Sequence, residues 1–113
     1  MNKYRKLAIL PLLLLALASA ACERQTISRI LADPARYHDK DVGIVGKVDK
    51  SFSVLNYGFY EIDDGTGRMY VVTRRGAPAR GSRVGARGKV NNYFSFAGQN
   101  YGTVLMEEDR RAR

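Results

Sequence analysis

Apolar and polar residues alternate with period two over most of the chain beyond residue 40. In residues 59–63, Tyr60 and Ile62 alternate with Phe59, Glu61 and Asp63. After a cluster of Asp, Gly and Thr, Met69 and Val71 alternate with Arg68, Tyr70 and Val72. Two alternating runs joined by turn residues predict a β-hairpin with one buried face and one mixed face. In its turn, Asp64 is suited to accept from nearby backbone N–H groups, and Gly65 and Gly67 to take positive φ. Residues 41–52 predict a preceding strand, with Val42, Ile44, Gly46 and Val48 opposed to Gly43, Val45, Lys47 and Asp49. Glycines inside a strand mark a bend or a close backbone approach. Residues 83–90 predict a fourth strand, setting Val84, Ala86, Gly88 and Val90 against Arg83, Arg87 and Lys89. Residues 101–106 predict a fifth, whose inward set is either Thr103 with Leu105 or Val104 with Met106.

A helical period appears once. Thr26 is a suitable N-cap for a short helix carrying Ile27, Ile30 and Leu31 on one face, and Pro34 disfavours continuing it. Residues 35–40 then read as a polar link. Residues 74–82, with Gly76, Pro78 and Gly81, form a loop too short for a well-formed helix. Residues 91–100 read as an aromatic loop holding Tyr93, Phe94 and Phe96. Residues 108–113 read as a charged, frayed tail. The whole predicts an all-β domain with a small N-terminal helix, spanning residues 27–107. Five strands on so short a chain favour closure into a barrel, which removes exposed edges.

The first 21 residues have a different composition. Lys3, Arg5 and Lys6 precede an apolar run, and Ala18, Ser19, Ala20 and Ala21 lead to Cys22. That layout predicts a secretory signal peptide over residues 1–21, with an apolar core too short for a transmembrane helix. Cys22 is the only cysteine, so no internal disulfide can form. A cysteine directly after such a segment resembles bacterial lipoproteins, in which it receives a lipid; Ala20 and Ala21 fit, and Ser19 stands where Leu, Val or Ile is usual. The resemblance implies lipidation of Cys22, a tether over residues 22–26, and a domain anchored on the periplasmic side of a membrane. Of 19 basic residues three leave with the signal, so 16 face 11 acidic ones and the mature net charge is +5. A balance of that sign favours anionic surfaces without the excess of a nucleic-acid tail.

Five strands, glycines in the first, the turn from Asp64 to Gly67, and Gly88-Lys89-Val90 closing the fourth together resemble the OB-fold, a five-stranded Greek-key barrel. Leu31-Ala32-Asp33-Pro34 with Tyr37, then Val42 and Gly46-Lys47-Val48, look like its tRNA-anticodon-binding-like branch. The chain departs from many OB-folds in lacking room for a helix between strands three and four. The resemblance implies binding along the outer face of strands two and three, framed by the loops after strands one and four.

On this chain that face and its surroundings offer Lys47, Phe52, Tyr57, Arg68, Tyr70, Arg87, Tyr93, Phe94 and Phe96. Aromatics beside arginines suit anionic extended ligands, since rings stack and guanidiniums pair with phosphate or carboxylate. The candidate ligands are single-stranded nucleic acid, a phospholipid headgroup or an acidic protein segment; an envelope protein that uses the domain as an adaptor is a further candidate partner. His38 has no Cys or His beside it, and Asp63 and Asp64 read as turn formers, so no metal site or cofactor is expected. No nucleophile has a base beside it in sequence. The expectation is a non-catalytic binding module.

Overall fold

The computed structural model describes residues 23–113; the signal peptide expected over residues 1–21 and Cys22 lie outside the described residues. The alternating stretches form strands β1 (Glu23–Arg24), β2 (Asp41–Val54), β3 (Tyr57–Asp63), β4 (Arg68–Thr73), β5 (Arg83–Phe96) and β6 (Gln99–Ala112). Two short helices, α1 (Ile27–Ala32) and α2 (Pro34–Tyr37), stand between β1 and β2. One sheet runs β1-β2-β3-β4-β6-β5, and β5 pairs back onto β2. The five long strands therefore close into a barrel, with β1 as a short parallel addition beside Val42 and Gly43.

Closure requires β2 to serve two neighbours. Its first half, Asp41 to Lys47, pairs with β5, and its second half, from Lys47 to Val54, pairs with β3. The strand turns at a register shift between Val48 and Lys50. Gly46 lies just before that shift, where a Cβ would collide with the Asp63 carbonyl and the Ile62 side chain. Gly88 does the same on β5, where a Cβ would strike the Met106 carbonyl. These are the close backbone approaches that the glycine-bearing strands predicted.

Inside the barrel, Ile44, Val48, Tyr60, Ile62, Val71 and Leu105 are among the buried residues of the core. Ile27, Ile30 and Tyr37 from the two helices belong to the same cluster and close one end. The helix is fixed by its first turn. Thr26 Oγ1 accepts from Arg29 N as the N-cap (3.4 Å). The β3–β4 turn supplies the other acceptors, with Ile27 N donating to Asp64 Oδ2 (2.9 Å) and Ser28 N to Thr66 Oγ1 (3.1 Å). Burial pushes the Asp64 carboxyl up, but hydrogen bonds from Thr66, Ile27 and Gly67 outweigh it and hold it below its usual value.

The structure departs from the sequence reading at several points. Leu31 does not share the buried face of α1 and is 41% exposed. Pro34 starts α2 instead of leading into a polar link, because proline is tolerated at the first helical position, and Tyr37 is thereby buried. Gly65 takes positive φ (85°), whereas Gly67 does not; a Cβ there would lie 3.2 Å from the Ile27 side chain, a tight contact. Residues 91–100 are not a loop: β5 and β6 continue past them as a long hairpin closed by Ala97 and Gly98, both at positive φ. Residues 107–112 are not a frayed tail but the end of β6, paired with β5 from Val84 to Gly88. In β6, Leu105 joins the core, and Val104 and Met106 belong to a second cluster outside the barrel. The loop 74–82 carries no helix, as its length predicted.

Gly88→Ala should destabilise the protein by about 1–3 kcal/mol through forced overpacking. Ser53→Ala, at an exposed position, should stay within about 0.5 kcal/mol. Urea unfolding of the two variants measures the difference, and equal midpoints would contradict the close approach of β5 to β6.

Candidate binding face

The outer side of β3 and β4 is covered by aromatic rings. Phe59, which points out of the barrel, is 0% exposed. Phe52 from β2 stacks on it (5.2 Å between centroids, 11° between planes), as does Tyr101 from β6 (5.4 Å, 19°). Phe94 and Phe96 from β5 lie at 6.2 and 5.2 Å, and Tyr57 at 6.4 Å. Tyr70 stands edge-on to both Phe52 (6.4 Å) and Tyr101 (5.6 Å). Val72 and Val104 complete the buried part beneath. Offset and edge-on pairs of this kind add about 0.5–1.5 kcal/mol each beyond burial. The long β5–β6 hairpin, with register shifts on either side of Phe94, brings Phe94, Phe96 and Tyr101 onto Phe59.

The nine candidate residues separate into groups. Phe52, Tyr57, Tyr70, Phe94 and Phe96 come together in this cluster, with all five in strands rather than loops. Arg68 flanks it, 61% exposed, but its Nε is held by Asp49 (3.3 Å) and Asp63 (3.4 Å). Tyr93 points away from the cluster, 83% exposed, with its ring 6.1 Å from His38. Lys47 and Arg87 lie on the wall where β2 pairs with β5. Of the predicted cations, Arg68 therefore stands beside the rings, and Lys47 and Arg87 stand away from them. Arg74 places its guanidinium over the Tyr57 ring (5.2 Å) and donates to its hydroxyl (3.0 Å), and Lys50, Arg68 and Arg80 line a cleft with Phe52.

No protein-family model matches the chain, and no curated protein sequence does. Solved structures do match. The chain is similar to asparaginyl-tRNA synthetase from Pyrococcus horikoshii complexed with asparaginyl-adenylate, with TM-score 0.57 and 23% identity over 68% of this chain and 20% of that one. It is similar to the S. pombe Stn1-ten1 complex (TM-score 0.53, 19% identity, 65% of this chain and 57% of that one). It is also similar to OBody AM3L09 bound to hen egg-white lysozyme (TM-score 0.56, 16% identity, 68% of this chain and 84% of that one). The chain spans about a fifth of the length of the synthetase. The barrel is an OB-fold.

In an OB-fold the outer face of the second and third long strands is the usual ligand surface. Here those strands are β3 and β4, and the aromatic cluster occupies that surface. Sequence reasoning missed two of its members. Phe59 was placed on a mixed face, and Tyr101 was read only as the start of a strand. Their signal was the aromatic residue opposite Phe52 in the hairpin and the aromatic spacing Tyr93 to Tyr101, which alternates through a turn. Glu61 also lies on this outer side, 9% exposed, with its Oε1 buried and without a hydrogen-bond partner among the described residues. Among the described residues, no group of three His, Cys, Asp or Glu is placed to hold a metal.

The misread end of β6 also supplies a buried polar network. The Glu107 side chain is 1% exposed and accepts from the Tyr60 hydroxyl, Thr73 Oγ1 (2.6 Å) and Arg110 Nη1 (3.1 Å). Arg110 also lies over the Tyr60 ring (5.5 Å). A buried carboxylate needs such partners, because an unpaired one is strongly destabilising. Burial, with the adjacent Glu107 carboxylate, pushes the Tyr60 phenol far above its ordinary value. The native state thus keeps a proton that the unfolded chain loses above pH ~10. Stability should be unaffected below that pH and fall above it, by about 1.4 kcal/mol per pH unit for this residue. Urea unfolding at about pH 9 and pH 11 should show a steeper alkaline loss for wild type than for Tyr60→Phe. Parallel losses would contradict the network.

Proposed function

We propose that the chain is a non-catalytic OB-fold binding module, exported and held to the periplasmic side of a membrane by lipid on Cys22. It engages a protein partner through the aromatic face of β3, β4 and the β5–β6 hairpin. The observation that carries this reading is the continuous ring cluster from Phe52 through Tyr70 to Tyr101, half-buried on the usual ligand surface of the fold. Rigid aromatic side chains at the centre of a surface are the anchors that protein interfaces use. Among the similar structures, the Stn1-ten1 complex and an OBody bound to lysozyme support a binding role. The similarity to synthetases supports the resemblance to the anticodon-binding-like branch.

Single-stranded nucleic acid is the second reading, favoured by Arg74 over Tyr57. It is weaker on charge. A strand binder interleaves rings with free cations. Here Arg68 is tied to two carboxylates, and Asp49, Glu61 and Asp63 surround the lower end of the face. An anionic ligand there would meet those carboxylates as well as the rings.

Tyr70→Ala with Tyr101→Ala, in protein that still melts cooperatively, should lose at least roughly tenfold in recovery of a specific envelope protein co-purified from solubilised membranes. Equal recovery would contradict the aromatic face as the docking surface. A complex with a labelled single-stranded oligonucleotide that weakens steeply with salt and is lost in the same variant would replace the protein reading with the nucleic-acid one.

A further inference from the structure

The wall across the barrel from the aromatic face has different chemistry. Along it, Lys47 pairs with Arg83, Val45 with Gly85, and Gly43 with Arg87. β6 extends it, setting Arg111 beside Gly85 and Asp109 beside Arg87. Arg113 N donates to the Arg83 carbonyl (3.0 Å), and the Arg113 side chain crosses Gly85, its Nε 3.1 Å from where a Cβ would stand. Glycines at 43 and 85 therefore leave the sheet bare, and the guanidiniums lie along its surface. The result is an open cleft of about 440 Å³ rimmed by Arg24, Arg87, Arg111 and Arg113.

Acidic residues on this wall only partly offset that charge. Asp109 is shared between Arg75 (3.7 Å) and Arg111 (3.8 Å). Asp41 pairs with Lys89 (3.3 Å). A hydrogen bond with Glu108 holds the Asp41 carboxyl below its usual value and raises that of Glu108. Arg24 enters the wall from β1, where it is paired with Gly43, and Cys22 stands two residues before it in the sequence.

We propose that this wall lies against an anionic phospholipid surface, so that anchor and arginines together hold the barrel with its aromatic face turned away from the bilayer. The proposal rests on the lipid-anchor reading of Cys22. Two features favour a bilayer over a single bound phosphate. The cations are spread over three strands and are solvent-exposed, which suits a plane of headgroups rather than one group. The wall also begins at the residues nearest the anchor, so the acyl chains and the guanidiniums can reach the same surface at once. A short anchor combined with a basic patch is a recognised two-signal arrangement for stable membrane association. The aromatic face, across the barrel, is left open to a partner.

The test uses the full chain purified from membranes and reconstituted into vesicles of phosphatidylcholine alone, or with roughly a third phosphatidylglycerol. Arginine reactivity toward phenylglyoxal is then read residue by residue by mass spectrometry. On anionic vesicles, Arg24, Arg87, Arg111 and Arg113 should react about fivefold more slowly than on neutral ones. Arg80, in the loop before β5, should react equally on both. The protection should vanish near 1 M salt, where the Debye length falls to ~3 Å. Arg87→Glu with Arg113→Glu, both at exposed positions, should remove the protection of Arg24 and Arg111. Equal reactivity on the two vesicle types, or equal protection of Arg80 and the wall, would overturn the proposal. Intact mass tests the anchor separately: a free Cys22 thiol sinks the anchor reading, and the same footprint, read with vesicles added to the unacylated protein at low salt, still decides the wall.

Discussion

One strand has to belong to both sides of this barrel. β2 pairs with β5 along its first half and with β3 along its second, and no barrel closes unless it turns between them. The turn needs Gly46, where any side chain would strike the Asp63 backbone, and the register shift that follows. After the shift, Phe52 points to the same side as Phe59, whereas before it Gly43, Val45 and Lys47 point to the other wall. The bend in β2 is thus what gives the molecule two outer surfaces of unlike chemistry, one of rings and one of guanidiniums.

β3 carries the consequence. Phe59, Tyr60, Glu61 and Ile62 are all buried, although alternate residues leave opposite sides of the strand. Tyr60 and Ile62 fill the barrel, and Phe59 is covered by the rings that β2, β5 and β6 bring over it. A strand buried on both sides in a domain this small leaves the outer cluster only partly covered, and its accessible rim is the surface available to a partner. Positive charge is gathered most densely elsewhere. Arg68 beside the rings is occupied by Asp49 and Asp63, and the arginines of the opposite wall stand on β1, β5 and β6 and just past the end of β6. An anionic surface and an apolar partner can therefore be met on different sides at once.

Much of this was legible from residue order, for definite reasons. Alternation in residues 41–48, 60–62, 69–71 and 84–90 reads directly as strands because only one face of each is apolar. The turn at Asp64 was readable from its residue types, but its capping of α1 was not, since Ile27 and Asp64 meet across 37 positions. The ends of β5 and β6 were hidden by composition. Residues 91–96 are apolar on one side only because Phe59 waits to receive them, and a charged run such as 107–113 reads as solvated until Tyr60, Thr73 and Arg110 are seen around Glu107. Arg24, Arg111 and Arg113 were missed for the same reason, having been assigned to a tether and a tail. Phe52, Tyr57, Tyr70, Phe94 and Phe96 come together, Tyr93 does not, and Lys47 and Arg87 lie apart from them because the bend in β2 sends those two elsewhere.

The claim that a partner approaches over the rings is tested most directly by placing a photo-crosslinking phenylalanine at position 70, or at position 87, in protein expressed in cells. Irradiation should yield a discrete protein adduct from position 70, on the aromatic face, and none from position 87, on the arginine wall. A protein adduct from position 87 with none from position 70 would contradict the account.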